Sequence, residues 1–187
     1  MLRDRIGLAF FAFASVLSFL AAWEHPVLLT WLAAIHNSIL AALYIRRRPP
    51  VKYDRTGLWL GLLAAVLPLT TVPSVKLSYP FVFIGILGYT LVFWSLISLS
   101  NRFGIAPADR GLVVRGPYWI VRHPMYLGEL VLRSALVAAS PHVLLAVSFL
   151  ITLAVIQILR ALREERILTG YDAYASQVPY RLVPGVW

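Results

Sequence analysis

The chain has 187 residues, 60% hydrophobic and only 13% charged, with a formal net charge of +9 and no cysteine. Soluble domains carry about 25% charged residues, so this chain has too few to cover a water-facing surface, in keeping with its mean hydropathy of +0.78. The absence of cysteine excludes disulfides, thiolate metal sites and a cysteine nucleophile, and the placement of Lys and Arg in loops beside apolar runs argues for membrane topology and against nucleic acid.

The first apolar run covers residues 6–23 and includes Phe10, Phe11, Phe13 and Phe19. No small-residue cleavage site follows it, and Trp23-Glu24-His25-Pro26 reads as an interfacial turn, so a retained helix is expected in place of a signal peptide. The second run, 27–45, is apolar except for His36 and Asn37. Polar groups in lipid turn toward the bundle interior, where this pair either bonds between helices or meets a substrate head group. Arg46, Arg47, Arg48, Lys52 and Arg55 follow, against Asp54 alone, and read as a topology anchor beside anionic lipid.

A third run, 57–72, is expected to bend at Pro68 and to lead into a weakly charged turn through Thr70, Thr71, Ser74, Val75 and Lys76. The fourth, 80–100, holds Gly85 and Gly88, which permit close approach of another helix. The loop 101–122 then sets Arg102, Arg110, Arg115 and Arg122 against Asp109. The fifth run, 124–140, opens with Pro124, which a first helical turn tolerates. A break at Ser140-Pro141-His142 separates it from the sixth, 143–162.

Runs of roughly 17–21 apolar residues match the thickness of a bilayer core. The expected fold is therefore all-α: a polytopic membrane bundle of five or six transmembrane segments ending in a helical hairpin. Residues 1–187 are expected to form one integral-membrane domain, four N-terminal helices over 1–100 and then a polar loop, hairpin and tail over 101–187. With six crossings the charge bias places both termini and the polar loop in the cytoplasm. A short fifth segment could instead be a tilted or half-inserted leg.

Residues 115–128, Arg-Gly-Pro-Tyr-Trp-Ile-Val-Arg-His-Pro-Met-Tyr-Leu-Gly, carry more chemistry than a connector needs. Glu129 and Arg133 stand four apart on one helical face, either as a structural ion pair or as the wall of a polar pocket. Arg160 and Glu164 repeat that spacing where the sixth segment ends. If the last two segments form an antiparallel hairpin, His123 and the Arg160–Glu164 turn lie at one membrane level. No dinucleotide or nucleotide-triphosphate fingerprint is present. His25, His36, His123 and His142 are too scattered for a metal set, and no Ser-His-Asp order stands out.

Gly116-Pro117-Tyr118, then Val121-Arg122-His123-Pro124-Met125-Tyr126-Leu127-Gly128, then Glu164-Glu165 with Leu168, and Tyr171 with Tyr174, resemble the isoprenylcysteine carboxyl methyltransferase family. That membrane-embedded group is in turn similar to phospholipid N-methyltransferases, and the resemblance covers roughly residues 100–180. It implies S-adenosylmethionine as methyl donor and a lipid or isoprenoid-like acceptor that enters laterally. By the same resemblance Leu112, Val113, Tyr118, His123, Pro124, Met125, Tyr126 and Glu164 or Glu165 bind the cofactor. Arg160 stands where the family has its substrate-binding arginine, with Glu129 and Arg133 as further acceptor contacts and His123 beside Arg160 as a catalytic candidate. A carboxylate acceptor needs only to be held, by Arg160; an amine acceptor needs a base, for which Glu129 or His123 is placed. The family's acidic run and spacer are often longer than here, which leaves Glu164 and Glu165 as alternatives for the cofactor contact.

Two other readings compete. Membrane NADPH-dependent lipid or steroid reductases carry a similar His-Pro-x-Tyr-x-Gly element, although Glu164-Glu165 with Leu168 fits the methyltransferases better. A non-enzymatic scaffold or small transporter is the third; a transporter places its polar groups near the midplane, not at one end.

Overall fold

In the computed structural model, which describes residues 2–67, 77–138 and 140–187, the chain is a helical bundle with one small two-stranded ribbon. Helices α1 (Leu2–Glu24) and α2 (Leu28–Ile45) form an antiparallel pair joined at Glu24-His25-Pro26. Strand β1 (Lys52–Tyr53) leads to α3 (Gly57–Val66), and α4 (Tyr79–Leu99) precedes the polar loop with its strand β2 (Ala108–Asp109). Helices α5 (Pro124–Val137), α6 (Val143–Ile167) and α7 (Tyr171–Gln177) complete the order.

Among the described residues four helical stretches are long and apolar enough to cross a membrane: Arg5–Glu24, Leu28–Ile45, Tyr79–Arg102 and Val143–Ile167. The expected third segment is represented by the 10 residues of α3, and its proposed bend at Pro68 and the turn through Lys76 lie outside the described residues. Helix α5 has 14 residues, shorter than the run expected to reach residue 140. At 1.5 Å per residue that is about 21 Å, less than the ~30 Å hydrocarbon core. Large apolar side chains such as Phe13, Trp59 and Leu144 point outward, as a lipid-facing surface requires.

Helix α5 packs most extensively against α4, and touches α6 less. The reason is local. A Cβ on Gly88 would lie 2.6 Å from the Leu132 backbone nitrogen, and one on Gly128 would lie 2.9 Å from the Gly88 carbonyl, so the two backbones are in contact. Gly85 accommodates Leu29 of α2 on the same helix. The Gly85 and Gly88 face is therefore used inside the chain.

One end of the bundle gathers the polar segments. Phe11 of α1 contacts Tyr44 of α2 at 5.5 Å, and Tyr44 contacts Phe103 of the loop at 6.0 Å. The Tyr44 hydroxyl accepts a hydrogen bond from the Ile105 backbone N–H at 3.0 Å. Lys52 pairs with Asp109 and Tyr53 with Ala108, knitting the basic 46–55 stretch to the polar loop. Arg163 at the end of α6 reaches Asp54 at 2.8 Å. The basic stretch is thus part of a roof over the bundle, beyond serving as a topology anchor.

Candidate functional site

His123 caps the start of α5 and Pro124 opens its first turn, where the missing N–H costs nothing. The imidazole is 5% exposed and lies between two carboxylates of α6: Nδ1 is 3.7 Å from Glu164 Oε2, and Nε2 is 3.4 Å from Glu165 Oε1. Burial opposes its charging, but the hydrogen bonds and charges of Glu164 and Glu165 raise its pKa above the ordinary value. The ring stacks on Tyr126 with centroids 5.6 Å apart and planes 2° apart, and the Tyr126 hydroxyl donates to Glu164 Oε1. With both nitrogens facing carboxylates, His123 is disposed to keep a proton and to fix Glu164.

Glu165 has a different set of partners. It accepts from Arg181 Nε at 2.7 Å and Nη2 at 2.9 Å, and from the Tyr171 hydroxyl at 2.7 Å. Arg122 binds the same tail through the carbonyls of Val178, Ala175 and Pro179, at 2.6, 3.0 and 3.1 Å. The backbone N–H groups of Arg122 and His123 donate to the Tyr180 and Arg181 carbonyls, each at 2.9 Å. Asp109 completes the clasp by accepting from Thr169 and from the Gly111 N–H; although burial pushes its pKa up, these bonds hold it below the ordinary value. The tail is thereby folded back over the polar loop.

Beneath it lies a cavity, the loop cavity, walled by Leu112, Val113, Tyr118, His123, Tyr126 and Glu164, with Leu168, Tyr171 and Tyr174 from the tail side. Arg102 and Arg110 also face it. Arg110 is anchored by Nε on the Arg48 carbonyl at 3.1 Å, whereas the Nε of Arg102 is shut from solvent without a hydrogen-bond partner. Gly111 turns the loop at φ +91°, a conformation L side chains avoid.

A second cavity opens on the membrane side, among α1 to α6. Its wall includes Phe11, Leu29, Leu40, Tyr89, His36, Glu129, Arg133 and Arg160. Arg160 is 4% exposed; its guanidinium donates to Gln157 Oε1 at 2.9 Å and to the Ile105 carbonyl at 3.0 Å, and lies 4.6 Å over the Tyr126 ring. Gln157 in turn donates to Glu129 of α5. Phe103 and Met125 belong to the walls of both cavities.

A family model described as phospholipid methyltransferase matches residues 78–174, more than half of the chain. The chain belongs to the phospholipid methyltransferase family. Comparison with curated proteins found no match. Membership makes it a methyltransferase of lipid-type substrates, and with its long apolar helices an integral membrane protein. The matched span runs from the start of α4 to α7 and contains the whole wall of the loop cavity; α1 and α2, which supply much of the membrane-side cavity, lie outside it.

For a phospholipid methyltransferase family member, most of the residues singled out in the sequence lie on these two walls. Leu112, Val113, Tyr118, His123, Tyr126 and Glu164 line the loop cavity, Met125 lines both, and Glu129, Arg133 and Arg160 line the membrane-side one. Pro124 and Glu165 are outside both linings: one starts the helix and the other holds the tail. Both members of the polar pair on α2 line the membrane-side cavity, and Asn37 also bonds to Ser18 of α1 at 2.8 Å. Sequence reasoning counted Arg102 only among the cations of the polar loop and passed over Gln157. Gln157 had a readable signal, a lone amide in an apolar helix one turn before Arg160, and such a group turns inward.

Proposed function

We propose that this protein transfers a methyl group from S-adenosylmethionine in the loop cavity to a lipophilic carboxylate in the membrane-side cavity. The observation that carries the reading is the pairing of Arg160 and Glu164. One helical turn apart on α6, they open onto different cavities that share Phe103 and Met125. The loop cavity suits the donor: Glu164 for its ammonium or ribose hydroxyls, the unpartnered Arg102 Nε for its carboxylate, and Leu112, Val113 and Leu168 for the adenine face. Tyrosine rings offer π-faces to a sulfonium. When bound, the donor supplies an electrophilic methyl on sulfur.

The chain's own task is positioning. His123 and Tyr126 hold Glu164 in place from one side, and the Glu165–Arg181 clasp keeps the tail closed over the cavity. Arg160 orients the acceptor. Glu164 and Glu129 act on its charge from a distance, but its direct hydrogen bonds go to the neutral oxygens of Gln157 and Ile105 and its Nε is closed to solvent without a partner, which suits direct contact with an acceptor carboxylate. A carboxylate oxygen would take the methyl group without losing a proton, the electron pair of the broken C–S bond staying on sulfur as a neutral thioether, so no general base is required and His123 serves as a positioning residue. Alignment in a dry site does the rest. The polar end is taken to face the cytoplasm, where the basic loops belong.

The test is incubation of the purified protein with methyl-labelled donor and extracted membrane lipids. Label released by mild alkali identifies a methyl ester; alkali-stable label on an amine overturns the carboxylate assignment. Isothermal titration with S-adenosylmethionine and NADPH decides the donor, and NADPH binding without S-adenosylmethionine binding overturns the reading.

A further inference from the structure

The membrane-side cavity has a second polar pole that the methyl-transfer step does not use. It is formed by His36 of α2 and Arg133 of α5, beside Tyr89 of α4. Several polar side chains of this cavity are occupied: Asn37 donates to Ser18 at 2.8 Å and to the Ala33 carbonyl at 3.2 Å, Thr30 reaches the His25 and Val27 carbonyls, both at 2.7 Å, and Glu129 accepts from Gln157. His36 differs. Its ring is packed edge-on against Tyr89 and Phe93, with centroids 6.1 and 6.2 Å away, and its Nε2 is closed to solvent without a hydrogen-bond partner.

Such a group is costly in a membrane interior, where no water compensates it. Arg133 lines the same cavity and acts electrostatically on His36. A ligand oxygen suits both: it accepts from a neutral imidazole N–H and from a guanidinium at once. Arg133 lies about 12 Å further along α5 than Met125 at the shared wall, taking 1.5 Å per residue. Leu40, Val92 and Leu132 line the same cavity, and so does Glu129, which accepts from Gln157 and stands one turn before Arg133, so the lining between Arg160 and His36 is apolar on α2 and α4 and carries a carboxylate on α5.

We propose that the far pole binds an oxygen function carried partway along the acceptor's hydrocarbon body, so that the acceptor class is a long-chain carboxylic acid with a mid-chain hydroxyl or carbonyl. The proposal rests on the methyl-transfer reading for which end is methylated, and on His36 and Arg133 alone for the mid-chain group. It also accounts for polarity deep in a cavity that an unfunctionalised chain would prefer apolar.

The experiment uses the full chain in lipid nanodiscs without donor. Binding is measured for a long-chain carboxylic acid and for its analogues hydroxylated at successive positions. A mid-chain hydroxyl is expected to tighten binding on the order of tenfold, as a hydrogen bond to a charged group does, with a clear positional optimum. His36→Phe should remove that preference while still binding the parent acid; His36→Gln, which keeps a donor, should retain part of it. Equal affinity across the positional series in the unaltered protein overturns the proposal, and this comparison stands even if the variants fail to fold. Methyl transfer to the same acids is scored separately. Positional preference without transfer would sink the methyl-transfer reading and leave the far pole in place; transfer without preference would do the opposite.

Discussion

Glu164 and Glu165 are adjacent in sequence and flank the two nitrogens of one imidazole, yet they face different surroundings. Glu164 lines the loop cavity and accepts from Tyr126, whereas Glu165 is held by Arg181 and Tyr171. Consecutive helical residues differ by about 100° in direction, which is enough to send one carboxylate inward and the other to the tail.

That division predicts separable effects. Glu164→Gln should weaken S-adenosylmethionine binding by roughly tenfold to a hundredfold, the worth of a charge-assisted hydrogen bond. Glu165→Gln should instead loosen the tail, seen as faster proteolysis after residue 167 and a lower unfolding midpoint. Titration calorimetry and limited proteolysis of both variants check this, and the reverse pattern would reassign the two carboxylates.

His123 sets a pH dependence of known sign. Its pKa is raised in the folded protein above the ordinary 6.5, so the stability it contributes is fully present below 6.5. That contribution is lost as pH rises through the raised native value. The difference in unfolding midpoint between the unaltered protein and His123→Asn should therefore shrink on the alkaline side. A constant gap from about pH 6 to about pH 9 would show that the imidazole is not held charged by Glu164 and Glu165.

Arg160 should separate acceptor handling from donor binding. Arg160→Met is expected to abolish most methyl transfer, by roughly a hundredfold or more, as loss of an oriented charged contact does. Donor affinity should stay within about threefold, because Arg160 belongs to the membrane-side wall. Arg160→Lys keeps the charge but not the planar fork that bridges Gln157 and Ile105, and should recover only part of the activity.

The α4–α5 contact sets a steric test. Gly88→Ala and Gly128→Ala place a Cβ against backbone that cannot move aside, and each should destabilise by about 1–3 kcal/mol. Gly85→Ala meets the tip of Leu29, 2.8 Å from its Cδ1, and a side-chain tip can rotate away. Its cost should be smaller. Thermal unfolding in detergent orders the three variants.

Hydropathy and charge bias, read along the chain, were enough to show a helical membrane protein with its polar segments at one end, because lipid forces backbone bonding into helices and loop cations into clusters. The motif around His123 and the Glu164-Glu165 pair was also legible, since both are local runs of residue types. Three things were not. The partner of α5 is chiefly α4, decided by where Gly88 and Gly128 meet in space. Which of Glu164 and Glu165 lines the loop cavity and which is held by the tail depended on rotation about α6 and on a chain returning from residue 181. The division into two cavities with a shared wall at Phe103 and Met125 came from loop, helix and tail converging at one end. A sequence states which groups are polar and apolar; which of them share a wall is settled only when distant segments pack, because contact energies act between neighbours in space and not in chain order.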